Sequence, residues 1–91
     1  MLALRKIHDG EGLELRDVPS PPSPGPGEIA IRVAATGICG TDLGIQKWGA
    51  GYSAMMGKAL PVTLGHETVG RVSAVGEGVT GLAPGDAVVV N

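Results

Sequence analysis

Cys39 and His66 are the side chains through which this sequence could do chemistry. Cys39, the only cysteine, stands in Gly37-Ile38-Cys39-Gly40-Thr41-Asp42. His66 stands in Gly65-His66-Glu67-Thr68-Val69-Gly70. A thiolate and a neutral imidazole both suit zinc. A hydroxyl, Thr41, and two carboxylates, Asp42 and Glu67, lie close by in sequence. Glu67 can reach the ion held by its neighbour or steady that neighbour from behind. Catalytic zinc keeps three protein ligands and one open position. Two firm donors, Cys39 and His66, with Glu67 as a further candidate, fit a site that another segment completes. A structural site of four cysteines is excluded.

Each of these residues also has an ordinary reading. A single cysteine is commonly a small buried apolar side chain. A histidine after glycine can satisfy a turn. Asp42 either orients His66 or caps a local helical turn, and we adopt the cap. Trp48 lines a substrate pocket or anchors its loop. The strength of the pattern lies in its order and spacing.

The elements that would position these residues are short. Sixteen glycines and seven prolines divide a 91-residue chain into runs of Val, Ile and Leu, which reads as mainly β structure with turns. Residues 2–7 and 13–16 alternate on either side of Asp9-Gly10-Glu11-Gly12, which predicts an opening hairpin with His8 as an exposed turn residue. Pro19 to Gly27 reads as an ordered crossover loop. Ile29, Ile31 and Val33 share one face of the next strand, which delivers Gly37 and Cys39 to its end. Thr41 or Asp42 would cap a helical turn over residues 43–47, weakened by Gly44. Residues 48–61 read as a loop. Residues 68–75 form a strand in which Gly70 permits close backbone approach. Ala87 to Val90 read as a final buried strand. Such strands, joined by long loops, predict a partly open β-barrel with short helical turns.

Composition excludes several classes. Net charge is −2, without a basic cluster, and the aromatics are one Trp and one Tyr. Nucleic acid and anionic membrane surfaces are therefore poor partners. No stretch approaches the ~20 apolar residues of a membrane span, and the first residues lack the apolar core of a signal peptide. One cysteine permits no internal disulfide, and the setting is read as reducing and cytoplasmic. Gly76-Glu77-Gly78-Val79-Thr80-Gly81 spells a dinucleotide fingerprint, but Pro84-Gly85-Asp86 and another strand follow at once. There is no room for the helix whose amides would hold a pyrophosphate, so this is a hairpin turn.

Gly65, His66, Glu67, Gly70, Gly76 and Val79 meet every fixed position of a signature that runs Gly-His-Glu, two residues, Gly, five residues, Gly or Ala, two residues, small apolar. In this the chain resembles the zinc-containing alcohol dehydrogenases of the medium-chain superfamily. Gly37-Ile38-Cys39-Gly40-Thr41-Asp42 is similar to the first zinc-ligand segment of that family, and Pro24-Gly25-Pro26-Gly27-Glu28 and Pro84-Gly85-Asp86 match its turns.

The resemblance implies that residues 1–91 are the first part of a GroES-like catalytic domain, incomplete, with the nucleotide-binding domain outside them. It implies zinc on Cys39 and His66, with Glu67 a ligand in some states. It implies NAD or NADP as hydride acceptor, an alcohol or carbonyl substrate, and a dimeric or tetrameric parent protein. Thr41 would hydrogen-bond the substrate oxygen and pass its proton outward. Many relatives place a histidine two residues after the Asp, as the last side chain of that relay. Here the position is Gly44, and no terminal base is assigned. The 91 residues alone are expected to be inactive. Two other readings are a zinc-free quinone or enoyl reductase, which would generally lack both Cys39 and the Gly-His-Glu pair, and a non-enzymatic GroES-like barrel, which has no use for the ligand pattern.

Overall fold

The turn at Asp9-Gly10-Glu11-Gly12 closes the expected hairpin. β1 (Leu2–Lys6) and β2 (Glu14–Asp17) pair antiparallel, with Leu4 opposite Leu15. Gly12, at φ 111°, takes a backbone conformation that a side chain would strain. His8 is the exposed turn residue expected, its Nε2 3.2 Å from Glu14 Oε2. The computed structural model describes residues 1–90, which fall into two compact units.

The first unit comprises Met1–Ser20 and Ile38–Gly65. β4 (Val62–Thr63) joins the other edge of β1, giving a three-stranded sheet in the order β2-β1-β4. Two helices follow one another here: α1 (Gly40–Lys47) and α2 (Tyr52–Met56), the second running into a 3-10 turn over Gly57–Ala59. Sequence reasoning predicts a loop over residues 48–61. The helical turns escape it because α2 is little more than one turn long and none of its residues is buried, so it leaves no apolar period. Ala3 and Ile45 are buried, and so, completely, is Lys6.

The second unit comprises Pro21–Gly37 and His66–Asn91. β3 (Ile29–Gly37), β5 (Glu67–Val75) and β6 (Ala87–Val90) form an antiparallel sheet in the order β3-β5-β6. Gly70 is where close approach was expected. A Cβ there would run into the Arg32 carbonyl oxygen and lie 2.8 Å from Ile31 Cγ2. Two details differ from expectation. Bulges at Ala30/Ile31 and Val33/Ala35 break the simple face alternation of β3. β6 is an edge strand rather than a buried one, with Val89 72% exposed, because it pairs only with β5. Residues 76–81 form the turn predicted for them: the Gly76 N–H donates to the Glu28 carbonyl at 2.7 Å and the Val79 N–H to the Gly76 carbonyl, with no helix following. Among the described residues the architecture is mainly β, with two short α-helices and no closed barrel. Among the described residues no helix is long and apolar enough to cross a membrane.

Candidate functional site

Cys39 is the N-cap of α1, with extended backbone at φ −111° and ψ 175°. Asp42 sits in the first turn, nearly buried, and its Oδ2 accepts a hydrogen bond from the Cys39 N–H at 3.1 Å. This is the reach-back half of a capping box. Asp42 is therefore a capping residue, as adopted above, but the cap position itself belongs to Cys39, and the helix begins three residues earlier than expected. The reason is local: a carboxylate at the third helical position satisfies an N–H that would otherwise lack an acceptor. Thr41, in the same first turn, is exposed.

In the second unit the ladder of β3 and β5 ends at the pair Gly37 and Glu67. The Glu67 carboxylate leans over Gly37: a Cβ on that glycine would lie 3.4 Å from Glu67 Oε2. Next to this pair, Thr36 and Thr68 bring their hydroxyls to 3.4 Å. Chain continuity then places Cys39 two residues beyond Gly37 and His66 one residue before Glu67.

The far end of α1 is held by a group of side chains that sequence reasoning largely missed. Trp48 caps the helix with left-handed backbone, φ 54° and ψ 48°, and its N–H donates to the Gly44 carbonyl at 2.9 Å. Its indole N–H donates to Asp9 Oδ1 at 2.7 Å, and the Ser53 hydroxyl donates to Asp9 Oδ2 at 2.9 Å. The buried Lys6 ammonium lies 4.5 Å from the Trp48 ring centroid and donates to the carbonyls of Gly10 and Gly12. Tyr52 stacks on Trp48 with centroids 5.7 Å apart. Trp48 is thus the loop anchor of the two readings above. The hydrogen bonds from Trp48 and Ser53 hold the Asp9 carboxyl below the usual aspartate range, aided by Lys6 and opposed by burial. No signal near Lys6 or Tyr52 announces this group, because its members come from β1, the hairpin turn and α2.

A thiol, an imidazole and a carboxylate, the groups that Cys39, His66 and Glu67 carry, are donor types of borderline softness that suit zinc. A dinucleotide does not fit the turn at 76–81, which opens no helix.

The family model for the alcohol dehydrogenase GroES-like domain matches residues 25–91. An L-threonine 3-dehydrogenase of Pyrococcus horikoshii is 44% identical over 90 residues, which are 99% of this chain and 25% of that protein. An NAD-dependent alcohol dehydrogenase of Sulfurisphaera tokodaii is 38% identical over 94 aligned residues, covering 100% of this chain and 27% of that one. Among solved structures, an alcohol dehydrogenase of Aeropyrum pernix superposes with a TM-score of 0.80 at 37% identity, over 98% of this chain and 25% of its own. The chain spans about a quarter of the length of the curated relatives it matches.

Proposed function

The chain belongs to the family of alcohol dehydrogenase GroES-like domains, and on that premise we propose that it is the zinc-holding part of a longer oxidoreductase. The parent protein, a cytoplasmic homodimer or homotetramer, would move hydride between a primary or secondary alcohol and NAD or NADP. One observation carries this reading. Gly37 and Glu67 are register partners at one end of the β3–β5 ladder, so the strands that lead to Cys39 and from His66 share that end.

Cys39, His66 and Glu67 would hold the metal, with the remaining ligand supplied by another part of the parent protein. Zinc, when bound, polarises an alcohol oxygen and lowers its pKa. A nicotinamide coenzyme, bound outside these residues, supplies the hydride acceptor. The chain's own residues do the rest. Cys39 is oriented by the α1 N-terminus and the Asp42 carboxylate. Thr41, exposed in the first turn of that helix, binds the substrate oxygen through its hydroxyl and takes over its proton. On this reading the coenzyme site and the remaining ligand belong to other parts of the parent protein, and the 91 residues alone are expected to turn over no alcohol.

The test uses the full-length parent protein. Alcohol-dependent reduction of NAD or NADP is expected, lost on chelation and restored by zinc. Reduction that survives exhaustive chelation supports a zinc-free reductase instead. No reduction with any alcohol removes the enzymatic reading.

A further inference from the structure

The Lys6 side chain is completely buried, a place where an ammonium is costly unless its charge is met. Here it is met by backbone oxygen and a ring. Its Nζ donates to the carbonyls of Gly10 and Gly12, the second at 2.9 Å, and lies 4.5 Å from the Trp48 ring centroid. Both kinds of partner reach the C-terminal end of α1. The Gly12 N–H donates to the Gln46 carbonyl at 2.8 Å, so the turn that Lys6 grips satisfies one of the last carbonyls of that helix. Trp48 is the residue that caps it. The cap at the opposite end of the same helix is Cys39. We propose that Lys6 is a positioning residue for Cys39. Through the hairpin turn and Trp48 it sets where α1 lies, and so where the cysteine at the start of α1 stands. This rests on the reading of Cys39 as a metal ligand given above.

The helix transmits the hold. α1 has eight residues and is about 12 Å long, so a shift of its last turn is carried to its first. Ile45 anchors α1 by burial, but burial is non-directional and leaves sliding and rotation open. Hydrogen bonds are directional and weaken steeply when bent. The path from Lys6 Nζ through Gly12 to Gln46 supplies that direction. Asp9 adds to it by accepting the Trp48 indole N–H, while Lys6 faces the ring.

Lys6→Met keeps an unbranched apolar stem and removes the charge and its donors. In the full-length protein, zinc affinity measured by competition with a chromophoric chelator is expected to fall about tenfold or more. With cobalt(II) in place of zinc, the thiolate-to-metal absorption should shift. In metal-free protein the amides of residues 38–44 should exchange with deuterium faster than in wild type. Lys6→Gln keeps an N–H donor, and the same changes, smaller, are expected in it, which keeps the test open should Lys6→Met not fold. Val72→Ala, buried in the other compact unit, separates placement from lost stability. It should lower the denaturation midpoint yet hold zinc affinity within about twofold of wild type. Zinc affinity within about twofold of wild type in a folded Lys6→Met protein, or in Lys6→Gln where only that folds, overturns the proposal alone. So does an equal loss in Val72→Ala, an unmoved cobalt spectrum, or unchanged exchange at residues 38–44. A wild type whose zinc survives Cys39→Ser fails the reading of the site, and this proposal with it.

Discussion

The backbone N–H of Cys39 donates to the carboxylate of Asp42 at 3.1 Å. One acidic residue thus fixes both the start of α1 and the backbone of the cysteine that caps it. Asp42→Ala removes the acceptor from a half-buried N–H. A loss of about 1–2 kcal/mol in urea unfolding is expected. Asp42→Asn keeps a carbonyl acceptor and should recover part of the loss. Equal losses in both would mean that charge, not the cap, is what matters.

Gly70 is set against the backbone of the neighbouring strand, where no flexible group can give way. Gly70→Ala is expected to cost about 1–3 kcal/mol or more through overpacking. Gly10 has nothing within 4 Å of a hypothetical Cβ, and Gly10→Ala serves as the control, within about 0.5 kcal/mol of wild type. Chemical denaturation of both variants checks the contrast.

Gly44 and Tyr52 should behave as a coupled pair. Alanine is about 0.8–1.0 kcal/mol better than glycine inside a helix, yet Gly44→Ala is expected to destabilise because its Cβ meets the tyrosine hydroxyl. In a Tyr52→Ala background the same substitution should stabilise. A double-mutant cycle that finds no coupling would mean that the two residues do not meet.

Asp9 links the hairpin turn to Trp48 and Ser53, and those hydrogen bonds depress its carboxyl pKa. A carboxyl depressed in the folded state adds stability above the ordinary aspartate pKa of about 3.9, and that stability is lost as pH falls through the lower folded value. Asp9→Asn removes the contribution. Its thermal midpoint should lie below that of wild type at neutral pH and fall less steeply than wild type under acid. Parallel acid limbs would take Asp9 out of the linkage. Glu14, depressed by Arg16, and Asp17, depressed by the N-terminal ammonium, keep some acid dependence in the variant.

The elements with strong local signals were legible in the sequence. The hairpin followed from alternation around Asp9-Gly10-Glu11-Gly12, and the turn at 76–81 from the absence of room for a helix. The pattern around Cys39 and Gly65-His66-Glu67 led to the family that the comparisons found. What escaped has a common cause. The buried Lys6, the Asp9–Trp48 bond and the Tyr52–Gly44 packing depend on residues far apart in sequence, and α2 is too short to leave a period. The bulges of β3 were invisible because register is set by the partner strand, not by the run itself. Gly44 is the instructive case. The family resemblance implies a missing side chain there, whereas the fold shows its space filled by Tyr52.

Zinc stoichiometry in the full-length protein tests the central claim most directly. Wild type and Cys39→Ser, purified side by side and dialysed against metal-free buffer, should differ by one zinc per chain, with activity lost in the variant. A Cys39→Ser protein that keeps its full zinc complement and its activity would contradict the account.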